Sequence, residues 1–476
     1  MKNNAALFLI VFLCLSNISY NASGDLYKRA PDIVQGTLPE MLNPEYWISA
    51  MDKPDEIILT LEQIMERNNE YLTKMSRPNP FESIHPGRVP MDWQINRWPA
   101  RFIIPPDLES MNSKDISNLT IKQIQACNDY ILAESYGNYL GVEYAEWELK
   151  ALIDEANIAA VNASLIPRPG IAVRTARLRV VPALFPSVVG IKNIDTSNYT
   201  VDLWTSALVT IGRKVTVLHR SKSGSHLFVV GENQYGWISA EDIAFGNNDS
   251  IRQYSNPDKF LVCTGNRIPY YADQECRYVS GWFRMGDKIP IVSNSERHRV
   301  IVPVRMVNGE FMTETAFLSP DADIHARYVP YTRRNIIMLA FKLLHDPYDW
   351  TGSALGRNHE TTYRDIFSCF GFVLPGNGGL FTFFGNKDIA AMPDMGKEKE
   401  YSLVLDNEPF VSFAVSRGHA MLLLGEHEGE PVAFDQNGYS YVDENGITMH
   451  VKRCSIITPR VVSYFLKYPI TFLELK

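Results

Sequence analysis

Cysteine is scarce in this sequence, six in 476 residues, far below the density at which small secreted chains are stapled by disulfides. Cys14 falls in the N-terminal apolar stretch, which leaves Cys127, Cys263, Cys276, Cys369 and Cys454. That odd number keeps at least one thiol out of any intramolecular bridge. A basic excess is missing too. Lys and Arg number 46 against 54 Asp and Glu, a net charge of −8, and this argues against a nucleic-acid partner. No apolar run after Leu15 is long enough for a membrane helix. What is present looks globular: 45% hydrophobic and 21% charged residues, in a length that suggests about three domains.

The start of the chain carries an address. Lys2 precedes an unbroken apolar run from Ala5 to Leu15, followed by small and polar residues up to Gly24. This is the order of a secretory signal, with Ala22-Ser23-Gly24 as the cleavage region, so residues 1–24 are expected to be removed on export to the periplasm or cell envelope. Leu13 is too large to precede a lipidated cysteine at Cys14, and no transmembrane segment is expected after signal removal. In an oxidising compartment Cys263 and Cys276, which flank one turn-rich segment, are candidates for a bridge.

Residues 25–165 read as a helical N-terminal clasp domain. Apolar residues recur near helical spacing over Ile57–Tyr71 and Ile121–Ala160, separated by a segment from Asn79 to Pro106 dense in proline and tryptophan. Pro167-Arg168-Pro169-Gly170 marks a boundary. Short strand-like runs follow, among them Val215–His219 and His226–Val230 around the hairpin signal Ser221-Lys222-Ser223-Gly224. They predict a small barrel over 168–247. A second one is predicted over 255–322, with Lys288–Val292 and Arg299–Val304 as its clearest strands.

From here the sequence resembles a known family. Arg174-Thr175-Ala176-Arg177-Leu178-Arg179 and Tyr235-Gly236-Trp237-Ile238 look like the opening and closing strands of bacterial SH3-like domains. Tyr331-Thr332-Arg333-Arg334-Asn335-Ile336, leading to Pro347-Tyr348-Asp349-Trp350-Thr351-Gly352, is similar to the entry into NlpC-type cell-wall cysteine peptidases. The resemblance implies an α+β multidomain chain: a helical N-terminal domain, two SH3-like β-barrels and a C-terminal papain-like α+β domain over 328–476. It also implies peptidoglycan stem peptides or muropeptides as partners, with no cofactor.

Peptidases of this kind need a thiolate, a histidine base and a third polar group that orients the imidazole. The thiolate is favoured at a helix N-terminus, where the dipole lowers its pKa. Thr362–Phe370 (TYRDIFSCF) reads as the amphipathic helix, with Gly371-Phe372-Val373-Leu374-Pro375 as its stop. Counting back by the family's spacing places the Asp-Cys-Ser triplet on Asn358, His359 and Glu360, so a histidine occupies the nucleophile position. Tyr348, Trp350, Asn358 and Glu360 then fall at substrate-binding positions. Cys369 lies ten residues further on, at the wrong end of that helix, and reads as a buried, inert thiol. Ser416-Arg417-Gly418-His419 opens an apolar strand and presents His419 at the base position. Asp435, in Val432-Ala433-Phe434-Asp435-Gln436, falls at the orienting position, and Glu426-His427-Glu428 reads as a solvated hairpin tip.

With base and orienter kept and the nucleophile lost, the leading expectation is an exported pseudoenzyme that binds stem peptides without cleaving them. An active endopeptidase or amidase-like hydrolase with altered chemistry at His359, His419 and Asp435 is the rival, and a structural envelope protein the third reading. Histidine and carboxylate also suit zinc, but no metal is assigned from the sequence.

Overall fold

In the computed structural model the described residues are 28–29, 31–75, 108, 111–132, 136–137, 142–184, 188–189, 202–231, 235–292, 298–350, 352, 354–374, 389–391, 409–416, 419–438, 440–443, 445–458 and 470–475. The expected signal segment, with Cys14, and the proline- and tryptophan-rich stretch from Asn79 to Pro106 lie outside them, as do Thr351, Pro375, Arg417 and Gly418. The architecture is α+β, with helices and several antiparallel sheets. No helix among the described residues is long and apolar enough to cross a membrane.

The first β unit comprises β1 (Arg168–Ala172), β2 (Ala176–Arg179), β3 (Thr205–Val209), β4 (Lys214–Arg220), β5 (His226–Val230), β6 (Tyr235–Ser239) and β7 (Ile243–Phe245). They pair in the order β7-β1-β4-β5-β6-β2-β3. β4 and β5 form the predicted hairpin around Gly224. Gly236 has a steric reason to be glycine, since a Cβ there would stand 2.7 Å from Leu178 Cγ and 2.8 Å from the Arg179 carbonyl oxygen. Only a residue without a side chain lets β6 approach β2 this closely. Trp237 and Ile238, which follow it, are fully buried.

The second β unit comprises β8 (Phe260–Cys263), β9 (Arg267–Tyr271), β10 (Val279–Arg284), β11 (Lys288–Pro290), β12 (Arg299–Arg305), β13 (Phe311–Phe317) and β14 (Ile324–Ala326). They split into two sheets, β11-β8-β14 and β10-β9-β13-β12. The expected Cys263–Cys276 bridge is not made, and both cysteines are free. Cys263 packs in the core of this unit, its thiol directed at the Gly265 carbonyl (3.4 Å), whereas Cys276 sits in the turn between β9 and β10 at φ 55°. A core position and a turn residue do not present facing Cβ atoms.

The segment expected as one N-terminal helical domain divides its apolar side chains between two other cores. Met41, Trp47, Ile48, Ile64 and Tyr71, the last two on α1 (Leu61–Met75), join the C-terminal core beside Ile336, Phe370 and Phe410. Ile116, Ile124 and Cys127 on α2 (Ser113–Leu132), with Leu152 on α3 (Glu146–Glu155), pack against Trp204, Phe228 and Trp237 of the first β unit. Burial pushes the Cys127 thiol up to about 12, which makes it inert.

In the C-terminal region α4 (Arg333–Phe341) and α5 (His359–Ser368) pack on a sheet of β15 (Ile389–Ala391), β16 (Ser412–Ser416), β17 (His419–His427), β18 (Glu430–Asn437), β19 (Arg453–Ile457) and β20 (Ile470–Glu474). Its order is β15-β20-β16-β17-β18-β19. Tyr363, Ile366 and Phe367, at the i, i+3, i+4 spacing of one helix face, are fully buried in the shared core with Phe413 and Phe434. Gly371, at φ 97°, ends the helical course where the sequence predicted a stop. Asn68 on α1 clamps that exit, donating to the Gly371 carbonyl (2.8 Å) and accepting from the Val373 N–H (2.9 Å).

Candidate functional site

The site is built around the first turn of α5, which begins at His359, three residues before the predicted start. The reason is Asn358, whose Oδ1 accepts from the Thr361 N–H (2.9 Å) while Thr361 Oγ1 accepts from the Asn358 N–H (3.0 Å). This reciprocal cap fixes the helix start and makes His359 its first residue. Asn358 Nδ2 donates to the Trp350 carbonyl (2.8 Å), so both ends of this amide are engaged with the protein's own backbone.

His359 meets His419 directly. Its ring centroid lies 4.4 Å from that of His419, with the two planes inclined at 53°. His419 stands at the start of β17, and its Nε2 is 2.9 Å from Oδ1 of Asp435 on the neighbouring strand β18. All three side chains are buried: His359 is 6% exposed, His419 3% and Asp435 0%. Glu360 lies beside them, its Oε1 3.7 Å from His359 Nε2. The helix is held against the two strands by the Tyr363 hydroxyl, which donates to the Phe434 carbonyl (2.7 Å) and accepts from the Leu422 N–H (3.1 Å). Among the described residues no group of three His, Cys, Asp or Glu side chains has an arrangement that would hold a metal.

The aromatic turn before the helix is a structural knot. Asp349 Oδ2 accepts from the N–H groups of Ala354 (2.8 Å) and Gly356 (2.9 Å). Trp350 is partly exposed beside it, and the Tyr348 ring packs where Gly438 leaves room, since a Cβ there would stand 2.5 Å from Tyr348 Cε1. Cys369 is the C-cap of α5, with Sγ 3.5 Å from the Cys263 carbonyl oxygen, and burial pushes its thiol far above the ordinary range. Cys263 and Cys454 are buried and raised in the same way. None of these three is poised as a thiolate.

Sequence reasoning missed the polar core under the site. Arg357, fully buried, donates Nε to Asp365 Oδ2 (2.8 Å), Nη1 to Asp346 Oδ2 (2.9 Å) and Nη2 to the Asn266 carbonyl (3.0 Å). Arg284, on β10, also donates to Asp365 Oδ2, and its Nη1 and Nη2 reach the carbonyls of Leu355 (2.8 Å) and Gly356 (2.9 Å). Burial alone would raise the Asp365 carboxyl, but the guanidinium groups of Arg284, Arg357 and Arg364, the last 3.2 Å from Oδ1, hold it down at about 2. Gln436, next to Asp435, donates Nε2 to the carbonyl of Pro347 (3.0 Å). The one clue in the sequence was Asp365, an acidic residue on the apolar side of TYRDIF.

By sequence, no protein-family profile and no curated protein matches the chain. An NlpC/P60 endopeptidase from Photobacterium damselae subsp. piscicida superposes over 94% of this chain and 99% of its own, with a TM-score of 0.70 at 16% identity. NlpC2 and NlpC1 from Trichomonas vaginalis match at 11% and 10% identity over 65% and 66% of this chain and 98% and 94% of theirs, each with a TM-score of 0.24. The chain thus has the fold of an NlpC/P60 endopeptidase along nearly its whole length.

Proposed function

We propose that this chain is an exported cell-envelope protein of NlpC-type fold whose C-terminal cleft binds peptidoglycan stem peptides without cleaving them. In this reading residues 1–24 are a signal peptide, 25–165 a clasp, 168–247 and 255–322 two SH3-like barrels, and 328–476 the papain-like domain. The observation that carries it is the imidazole of His359 at the first residue of α5, in ring contact with His419. A thiolate there would attack the peptide carbonyl and pass the leaving group a proton from His419. An imidazole keeps the helix, the base and the Asp435 partner but brings no thiolate, and the thiols of Cys369 and Cys454 in the same region are buried and raised.

The rival reading, a hydrolase with altered chemistry, draws on the same His419–Asp435 pair, which would orient an imidazole for proton transfer. Incubation of the purified mature chain with muropeptides, followed by mass spectrometry, separates the two. The expected result is retention of intact muropeptides on the protein and no fragment above a no-protein control. Steady release of a dipeptide that disappears in His359→Ala would establish the hydrolase instead.

A further inference from the structure

Away from the histidine pair, a cavity of about 350 Å³ opens where three parts of the chain meet. Its walls are the Arg174–Thr175 turn between β1 and β2, strands β9 and β10, and Leu355 from the loop that leads into Asn358 and His359. The volume lies within the range of about 300–1,000 Å³ usual for small-ligand sites.

Charge and aromatic surface coincide in it. Trp282, on the wall, is 54% exposed, a large apolar ring left to solvent. Arg267, on the same wall, spends one N–H on the Leu355 carbonyl (2.7 Å) and has no carboxylate partner among the described residues. The other two arginines of the lining are already committed, Arg174 to Asp242 and Arg284 to Asp365. Arg267 is therefore the cation left for a ligand, in a chain whose net charge is −8. The floor is shaped by Gly281, because a Cβ there would stand 2.3 Å from the Tyr270 hydroxyl oxygen. Its absence lets the phenol of the cross-strand partner lie flat over the strand.

We infer that this cavity is a second binding site, for a peptide that carries a carboxylate beside an apolar group. The carboxylate pairs with the free edge of the Arg267 guanidinium, a planar fork suited to two parallel hydrogen bonds. The apolar part lies against the exposed ring of Trp282. Naming a stem peptide as the natural source rests on the function proposed above, whereas the carboxylate chemistry stands without it. Because Arg267 and Leu355 are hydrogen-bonded, a ligand here also bears on the loop that ends in the His359 cap.

The test is calorimetric titration of the mature chain with the tripeptide Ac-Ala-Glu-Ala, and with the same peptide amidated at both carboxyl groups. Saturable binding of the acid and at least tenfold weaker binding of the diamide are expected, as for loss of a charge-assisted hydrogen bond. Arg267→Gln should weaken the acid by a similar factor, and so should Trp282→Ala. Arg267→Gln should fold, because Arg284 Nη1 still serves the Leu355 carbonyl, and an unchanged melting temperature would document this. No saturable binding of the acid, or binding that survives both substitutions, overturns the inference. Binding that survives them but is abolished in His359→Ala places the peptide in the cleft and overturns it as well. Arg267-dependent binding of the tripeptide by a protein that retains no muropeptide would leave this site standing and remove the cleft reading alone.

Discussion

Asn358, His359 and Glu360 show how one position can be decided by two kinds of demand. Asn358 caps α5 through its Oδ1, work an aspartate does equally well, and ties Trp350 to it through an Nδ2 donor that an ionised aspartate lacks. His359 has no such duty and is defined by what it faces, the ring of His419. If only the nucleophile has changed, His359→Cys puts a thiol at a helix N-terminus beside a histidine, the setting that lowers a thiol pKa. A drop of one to two pKa units from about 8.5 would raise its thiolate fraction at neutral pH by about eight- to twenty-fivefold. Iodoacetamide labelling followed by peptide mapping should therefore modify residue 359 at least tenfold faster than Cys369, whose thiol burial pushes up. The triple variant with Asn358→Asp and Glu360→Ser should cleave muropeptides slowly, since nucleophile, base and orienter act as a unit. Labelling no faster than at Cys369 would mean that residue 359 does not occupy a nucleophile site.

At the scale of elements, α5 is held on its sheet by one hydroxyl as well as by apolar contact. The Tyr363 hydroxyl lies between the N–H of Leu422 and the carbonyl of Phe434, residues paired across β17 and β18 just before the ladder shifts register at Leu423/Gly425. Tyr363→Phe keeps the ring and removes a donor and an acceptor from a fully buried place, which should cost about 1–3 kcal/mol. Urea unfolding with an unchanged slope and a lower midpoint would register this loss. A neutral result would mean that the strands close up and satisfy each other. The helix itself was legible from its apolar spacing and its glycine stop. Its start was read three residues late because Asn-His-Glu carries no apolar signal, and only the cap places the boundary.

The whole molecule is joined through a buried charge cluster between the second β unit and the C-terminal region. Asp365 sits between Arg284 and Arg357, all three buried. Removing the carboxylate leaves the guanidinium groups of Arg284, Arg357 and Arg364 around one site, so Asp365→Asn should lose about 3–5 kcal/mol and open the joint to limited proteolysis near Leu355. The pH dependence follows from the same group. Its folded pKa of about 2 lies below the unfolded value of about 3.9. Its stabilisation is thus complete above about pH 4 and fades as the pH falls toward 2. Asp287, which burial pushes up to about 6, works in the opposite sense. The native state holds its proton more tightly, so its contribution is present below about pH 4 and is lost as the pH rises through about 4 to 6. Unfolding midpoints measured across this range should peak between the two effects, and Asp365→Asn should flatten the acid limb. An unaltered acid limb would show that Asp365 does not carry it.

The sequence by itself determined the local course of the chain: the strand pairs around Gly224 and Gly236, the helix that ends at Gly371, and the strand that opens at His419. Periodicity, turn chemistry and missing side chains act over a few residues, so one chain segment is enough to read them. Contacts between distant segments leave no such trace. The sharing of residues 41–71 and 116–152 between two different cores, the Arg284–Asp365–Arg357 cluster and the unmade Cys263–Cys276 bridge were decided only in three dimensions. Burial is what decides them: a cation on a strand reads as solvated until packing removes the water, and then it must find a carboxylate. The meeting of His359, His419 and Asp435 belongs to both levels. The family resemblance nominated each residue separately, and the packing of α5 on β17 and β18 set the 2.9 Å and 4.4 Å that bring them together.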